Sequence, residues 1–285
     1  MELLSYPFMV RALIAALMTG LIAPAIGTYI VQRRLSLLGD GLGHVAIAGV
    51  GLALATGTAP LPVAVVVCLA GAVIIELLRR FNRASSDVGL AILFYGGLAA
   101  GVLLAGVAGQ GAGALSQYLF GSLTTISDAD AWMVAVLGAV VLIPAIGLAP
   151  QLFAVSVDEE HARTMGLRTH LYNLCVVLLA AVTVAIAMRT VGLLLISALM
   201  VIPVATARGL VIGFRRGLYA AMVIGVIVAV SGTAASFYVD AAPGGLIVVL
   251  AIAAFALSWP LSVTLNRRRR QGILASEHER SPEAV

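Results

Sequence analysis

Charged residues are scarce in this sequence. Of its 285 residues, 11% are charged and 61% are hydrophobic, whereas about 25% of the residues in an ordinary soluble domain are charged. So few charges could not cover the surface of a soluble fold. The apolar residues also form long runs, and runs of about 18 or more indicate membrane-spanning helices. The composition therefore predicts an all-α protein that crosses a membrane several times and contacts its lipid.

Several motifs of other protein classes are also missing. The formal net charge is only +4, and no stretch interleaves aromatic with basic residues, so we expect no nucleic-acid partner. There is no G-x-x-x-x-G-K-[ST] phosphate loop and no H-E-x-x-H metalloprotease motif. We therefore expect no enzyme activity, no covalently bound cofactor and no ATP hydrolysis by this chain. The two cysteines, Cys68 and Cys175, lie in apolar runs and are expected to be buried hydrophobes.

Nine hydrophobic segments can be distinguished. They cover residues 9–32, 42–58, 61–78, 88–108, 130–149, 171–188, 191–206, 217–239 and 245–265. The segments at 42–58 and 191–206 are shorter than the roughly 20 residues of a straight span, so either could be broken or re-entrant. Eight full spans with one irregular segment is therefore the alternative to nine spans. Residues 1–265 form one transmembrane domain in this interpretation, and 266–285 form a basic tail that is expected to be disordered.

Glycine is more frequent than average, with 30 residues. Glycines lower the distance at which two membrane helices can approach, and Gly97 and Gly101 form a Gly-x-x-x-Gly motif within the fourth segment. We expect close helix contacts there.

The arginines indicate the orientation. They cluster at 33–34, 79–83, 163–168, 208–216 and 267–270. With nine crossings and an outer N-terminus, all these clusters fall on the cytoplasmic side, and only Arg189 lies opposite. This predicts a cytoplasmic C-terminus.

An aspartate and a histidine stand one helical turn apart at the start of the second segment. Asp40 and His44 would share one face of a helix. Ionisable groups inside a membrane are costly and tend to face a bundle interior or an aqueous path. A carboxylate and an imidazole are both suitable ligands for zinc, but a site needs three or four ligands. The alternative is an Asp–His hydrogen bond, with Asp40 favoured by the helix dipole.

The longest polar interruption of the apolar chain is FAVSVDEEHARTMGLRTH, residues 153–170. Asp158 can cap a short helix whose first turn holds Glu159 and Glu160. The apolar side of this helix would comprise Ala162, Met165 and Leu167, with Gly166 at its end. Such a helix suits docking of a cytoplasmic partner, and the alternative is an ordinary solvated loop. A metal site at Glu160 and His161 is disfavoured because adjacent helical residues face different ways.

Three polar or helix-disturbing residues interrupt the segment after 190. Ser197, Pro203 and Thr206 lie in VGLLLISALMVIPVATARG, residues 191–209. Because proline lacks a backbone donor, Pro203 is expected to kink the helix. A kinked helix beside a pathway is typical of a gate, and we assign Ser197 and Pro203 to this role. The alternative is a hydroxyl that bonds its own backbone.

Five stretches together resemble the transmembrane permeases of ABC-type zinc and manganese uptake systems. They are RRLSLLGDGLGHVAIAGVGLAL (33–54), SDVGLAILFYGGLAAGVLL (86–104), YLFGSLTTIS (118–127), VSVDEEHARTMGL (155–167) and MRTVGLLLISALMVIPVATAR (188–208). They occur in the order and spacing of that family and cover most of residues 8–265. The resemblance implies an ABC importer permease fold, a homodimer, a separate ABC ATPase subunit and an extracytoplasmic metal-binding protein. It also implies residence in the bacterial cytoplasmic membrane.

The resemblance also implies roles for particular residues. Asp40 and His44 match the metal-coordinating pair of the family. The acidic stretch matches its coupling segment, whose expected ATPase contacts are Asp158, Glu159, Glu160, His161 and Arg163.

This chain departs from the family pattern at some positions. Gly41 and Gly43 replace alanine and serine, and Ala48 replaces a common proline, so the helix is expected to be looser or differently bent. The span at 217–239 lacks the acidic and histidine ligands that manganese members supply.

The sequence therefore favours an importer permease for zinc, because imidazole suits zinc better than manganese, with manganese as the alternative. Two other hypotheses are an iron-chelate importer and a proton-coupled carrier that uses Asp40 and His44 as a relay.

Overall fold

The computed structural model describes residues 6–81, 86–109, 112–122, 124, 126–188, 191–193, 195–239 and 241–280. These residues form α-helices joined by short connections, and no β-strand occurs among them. The helices are α1 (Pro7–Gln32), α2 (Leu38–Thr56), α3 (Pro60–Phe81), α4 (Ser86–Val107), α5 (Ala112–Phe120), α6 (Asp128–Gly147), α7 (Ala149–Val157), α8 (Glu159–Thr164), α9 (Thr169–Ala187), α10 (Ile196–Leu210), α11 (Phe214–Val239) and α12 (Pro243–Arg280).

Eight of the described helices are long and apolar enough to cross a membrane: α1, α2, α3, α4, α6, α9, α11 and α12. The ninth apolar helix, α10, has only 15 residues. This agrees with the alternative of eight full spans and one irregular segment. The irregular segment is the one at 191–206, where helix begins only at Ile196. The segment at 42–58 is not broken, since it lies almost wholly within the continuous helix α2.

The C-terminal tail differs from the sequence prediction. Helix α12 does not end near residue 265 but continues to Arg280. Residues 266–280 contain five arginines and two glutamates, and both residue types favour helix. A helix that already exists is also extended at little cost, because only nucleation is unfavourable. Residues 266–280 are therefore helical in the structure, where the sequence predicted disorder. Residues 281–285 lie outside the described part.

Arginines lie together at one end of the bundle. Arg33, just after α1, donates to the Asn173 side chain in the first turns of α9. Arg208, near the end of α10, donates to the Gln32 side chain at the end of α1. These contacts place the ends of α1 and α10 and the start of α9 together, and we call this the arginine end.

The opposite end carries aromatic rings. Tyr6 before α1 lies 5.7 Å, between ring centroids, from Phe237 near the end of α11. Arg11 forms an ion pair of 3.3 Å with Asp128 at the start of α6, and Trp132 in the next turn is 73% exposed. Exposed aromatic residues at the end of apolar helices are typical of a membrane–water interface. Arg189, which was expected at this end, lies outside the described residues.

Glycines bring α2 and α4 into backbone contact. A Cβ built on Gly97 would lie 2.7 Å from the carbonyl carbon of His44, and one on Gly101 would lie 2.5 Å from the side chain of Ile47. Neither position has room for a methyl group. The Gly-x-x-x-Gly prediction is thereby confirmed, since both of its glycines face α2.

Helix α1 makes equally close contacts in the middle of the bundle. A Cβ on Gly20 would meet the carbonyl oxygen of Gly225 in α11 at 2.8 Å, and one on Gly27 would overlap the Met200 backbone in α10. The residues of α1 from Ile22 to Ile30 are all buried. Helix α1 therefore forms the centre of the bundle, with α10 and α11 against it.

Leucine at position 97 should therefore disrupt the fold, whereas leucine at position 96 should not. A Cβ on Gly96 meets no atom within 4 Å, so the neighbouring glycine is a matched control. Overfilling a tight contact costs about 1–3 kcal/mol or more. We expect Gly97→Leu to lower the thermal midpoint of the detergent-purified protein by several degrees and Gly96→Leu to leave it unchanged. Equal midpoints would show that the α2–α4 contact does not limit stability.

Candidate metal site

Asp40 and His44 both lie in the first two turns of α2. The helix begins at Leu38, after a short reversal of the chain that follows α1. Asp40 is the third helical residue, where the positive end of the helix dipole favours a carboxylate. Its side chain is partly exposed, while His44, one turn further, is only 8% exposed. The sequence prediction that the two share one helix is correct.

The His44 ring is held in one orientation. Its Nδ1 lies 2.8 Å from the main-chain oxygen of Asp40, and its ring centroid is 3.7 Å from that of Phe94 in α4. A carbonyl can only accept a hydrogen bond, so Nδ1 must donate. In the neutral imidazole this leaves a lone pair on Nε2, which is the tautomer that binds a metal. The recorded bond therefore goes to the backbone of Asp40 and leaves its carboxylate available.

An irregular segment covers the first turns of α2. The backbone N–H of Leu193 donates to the Tyr118 carbonyl of α5 over 2.9 Å. A Cβ on Gly43 would lie 2.9 Å from the Leu193 carbonyl oxygen. Gly43, one of the departures from the family pattern, is thus the residue that admits the backbone of this segment. Helix α2 is continuous from Leu38 to Thr56, across Gly41, Gly43 and Ala48.

Ser197 is the second residue of α10 and lies beside α2. A Cβ on Gly39 would lie 2.6 Å from its hydroxyl oxygen. The side chain is 8% exposed, and the hydroxyl has no hydrogen-bond partner in the described part of the chain. The alternative that it bonds its own helix therefore does not hold for Ser197. It does hold for Thr206, which donates to the Ile202 carbonyl over 2.9 Å.

Helix α10 is continuous through Pro203, which is buried. The proline nevertheless removes one donor from the helical ladder. Ser197 lies two turns nearer to the start of α10, in the part that faces α2.

The chain provides only part of a metal site. Among the described residues, no group of three or more His, Cys, Asp and Glu side chains is placed to hold a metal ion. A zinc site is almost always four-coordinate. Asp40 and His44 therefore make at most half of such a site.

The predicted capped helix is present as α8. The Asp158 carboxylate accepts from the backbone N–H of His161 over 2.9 Å. Glu159 and Arg163 form an ion pair of 3.3 Å one turn apart. Glu160 and His161 are both exposed, while Ala162 is buried.

The apolar side of α8 is only partly covered. Leu167 is half-buried, but Met165 is 66% exposed rather than buried. Val157 before the helix and Leu171 after it are also exposed. Gly166 has a φ of +83°, which ends the helix in the left-handed region. Exposed apolar side chains rimmed by polar residues mark interaction sites.

The short helix α5, which lies between the segments predicted at 88–108 and 130–149, was not predicted from the sequence. Its nine residues carry no charge, and this lack of charge could have indicated a short apolar helix. It also placed the start of α6 late, although Ser127 and Asp130 form a capping box with bonds of 3.1 Å in both directions.

Comparisons with known proteins agree with the resemblance. The model of the ABC 3 transport family matches residues 5–261. A Treponema pallidum (strain Nichols) protein, "Probable metal transport system membrane protein", is 32% identical over 258 residues, which are 90% of this chain and 96% of that protein. "Manganese transport system membrane protein MntC" of Halalkalibacterium halodurans is 32% identical over 274 residues, 96% of this chain and 91% of that one.

Two further comparisons extend this picture. "Chelated iron transport system membrane protein YfeC" of Yersinia pestis is 34% identical over 247 residues, 86% of this chain and 83% of that one. The solved structure "PsaBC from Streptococcus pneumoniae in complex with Fab" contains a chain with a TM-score of 0.80 and 31% identity, covering 90% of this chain and 92% of that one. Because the family model and these alignments span most of its length, the chain belongs to the ABC 3 transport family.

Proposed function

We propose that this chain is the membrane-spanning permease subunit of an ATP-driven importer of divalent metal ions. The observation that carries the proposal is the geometry of His44 at the start of α2. Its Nδ1 donates to a backbone oxygen, so in the neutral imidazole Nε2 keeps the lone pair that can bind a metal. His44 lies one helical turn from Asp40, whose carboxylate is the second proposed ligand. Family membership and the names of the relatives support metal as the cargo.

Three partners follow from this proposal. The chain has no phosphate loop, so an ABC ATPase subunit must hydrolyse the ATP, and α8 with Asp158 to Arg163 is its proposed contact. An extracytoplasmic protein delivers the metal at the aromatic end. A second copy of the chain supplies the ligands that a two-residue site lacks, because a symmetric dimer repeats the same pair.

Ser197 and Pro203 are the proposed gate. The turn at 191–193 and the start of α10 cover the first turns of α2. A ladder that lacks a bond at Pro203 bends more easily there, and movement of the start of α10 would uncover Asp40. The unpartnered hydroxyl of Ser197 can then contact the passing ion or its water. Such a site should bind only modestly, since an over-tight one stalls release.

The cargo is proposed to be manganese or zinc. Imidazole suits zinc, whereas manganese prefers oxygen ligands, and a carboxylate serves both. The relatives named above include one for manganese and one for chelated iron. A chelate would need no direct ligands from the chain, so the Asp40–His44 pair argues against it. A proton-coupled carrier would need no ATPase, and family membership argues against that alternative.

Removal of either proposed ligand should abolish uptake. We expect Asp40→Ala and His44→Ala to reduce uptake of radioactive manganese and zinc by at least about tenfold in cells that express the complete transporter. Matched controls are Asp128→Ala and His170→Ala, which remove the same chemistry from exposed positions. All four proteins should reach the membrane in equal amounts. Normal uptake by the first two variants would contradict the proposed ligands.

Competition should identify the cargo. If His44 and its symmetry mate are ligands, zinc should inhibit manganese uptake at lower concentration than manganese inhibits zinc uptake. His44→Asp replaces nitrogen with oxygen and should shift this ratio towards manganese. The measurement is uptake of each labelled metal against a series of the other. An unchanged ratio in His44→Asp would remove His44 from the first coordination sphere.

The cap of α8 should matter to coupling through its hydrogen bond. Replacing an N-cap residue with alanine costs about 1 kcal/mol, whereas serine preserves the cap. We expect Asp158→Ala to lower both uptake and the amount of ATPase that copurifies with the permease, and Asp158→Ser to restore both. If serine behaves like alanine, the carboxylate charge is what the ATPase recognises. If alanine behaves like the parent protein, α8 is not the coupling helix.

A further inference from the structure

A groove at the arginine end lies between α7 and the turn that joins α10 to α11. Its cavity volume is about 540 Å³, and Phe153, Ile212 and Phe214 provide apolar walls beside Arg215 and Arg216. The Phe153 and Phe214 rings are 4.2 Å apart between centroids. The groove thus combines an apolar floor with two guanidinium groups.

A second cavity of about 260 Å³ shares Phe153 and Phe214 with the first and adds Arg208. A third guanidinium group therefore stands on the other side of the paired rings. One N–H group of Arg208 already donates to Gln32. Arg208 therefore contributes positive charge to the groove but has fewer N–H groups left to bind an anion.

Among the described residues, neither Arg215 nor Arg216 has an acidic partner. Both are exposed, and no salt bridge of the described residues includes either of them. None of the residues that line the two cavities is acidic. Two adjacent arginines on a rigid turn, without a carboxylate, form a site of positive potential that suits an anion with several oxygen atoms.

An exposed apolar stripe leads away from Arg216 along α11. Tyr219, Val223 and Ile227 are 50%, 57% and 61% exposed. Their spacing from Arg216 places all four on one face of the helix. Because α11 is one of the candidate membrane spans, this stripe runs from the membrane surface towards its middle. A free phosphate or an acidic protein surface would make no use of it.

We propose that the groove binds an anionic phospholipid, with its phosphate at Arg215 and Arg216 and one acyl chain along Tyr219, Val223 and Ile227. Basic pockets between helices at a membrane surface are suited to such headgroups. Bound lipid would fill the groove between α7, which leads to the coupling helix α8, and the α10–α11 turn. The site requires only that α11 spans the membrane, so it does not depend on which metal is transported.

Native mass spectrometry of the full chain in detergent can test the site. The probes are phosphatidylglycerol, phosphatidylcholine with the same acyl chains, and glycerol 3-phosphate as the free headgroup. We expect the parent protein to bind phosphatidylglycerol most tightly. Arg215→Gln/Arg216→Gln should weaken that binding about thirtyfold. Each arginine contributes about 1 kcal/mol to the attraction of an anionic lipid, and about 2 kcal/mol corresponds to a thirtyfold change in Kd. Arg168→Gln removes a positive charge from another exposed position, at the start of α9, and should change binding less than threefold.

A third variant, Val223→Gln, separates a lipid site from a simple anion site. It keeps both arginines but places an amide on the apolar stripe, and we expect it to weaken phosphatidylglycerol binding and not glycerol 3-phosphate binding. Three results would each overturn the proposal. They are equal binding of the two lipids, equal loss of binding in the two arginine variants, and binding of glycerol 3-phosphate as tight as that of phosphatidylglycerol. Folding of every variant is checked by its elution volume and helical circular dichroism.

Discussion

Backbone contact between α2 and α4 is the constraint on which the candidate site depends. Gly97 and Gly101 leave no space for a side chain, so α4 lies directly against the turns of α2 that carry His44 and Ile47. Two helices that touch through their backbones have few alternative positions relative to each other. The contact therefore sets the distance of Phe94 from the imidazole and fixes the wall against which His44 lies.

The polarity of the site follows from the same arrangement. A buried imidazole in an apolar span must satisfy its donor locally, since no water is at hand and an unsatisfied group is costly. His44 does so with the Asp40 carbonyl one turn earlier, a bond that any histidine four residues after a helical carbonyl can make. In the neutral imidazole, this bond leaves the lone pair on Nε2, which can therefore accept a hydrogen bond or bind a metal. The half-site is thus a consequence of local helix geometry combined with burial by α4.

Most of the membrane helices could be predicted from the sequence because their signals are local. Long uncharged runs give the spans, and the D-E-E-H stretch gives the capped helix α8 through a hydrogen bond within one turn. The missed helix α5 and the late start of α6 are local failures, whereas two others are non-local. Helix α10 starts late because the preceding turn bonds to the Tyr118 carbonyl of α5, a contact between residues about 75 positions apart that no periodicity records. The role of Gly43 has the same origin, since its need for glycine comes from the Leu193 carbonyl and not from α2 itself.

A series of packed residues connects α7, which precedes the proposed coupling helix α8, with the candidate metal site. Phe153 of α7 stacks on Phe214 of α11 at 4.2 Å, and Phe214 lies 5.6 Å from Tyr29 of α1. Two residues before Tyr29, α1 touches the backbone of Met200 in α10, and the Met200 sulfur lies within 3.4 Å of a Cβ built on Gly39.

Close-packed interiors transmit displacement because they cannot be compressed. The proposed function needs α7 and α8 to affect the start of α2, and the series from Phe153 to Gly39 runs between them through side chains that are neither proposed ligands nor proposed ATPase contacts. Continuity alone does not create coupling, which requires two discrete arrangements of these elements. The short helix α10 lacks one ladder bond at Pro203 and packs its first turn against Gly39, so it is the element of this series best suited to adopt two arrangements.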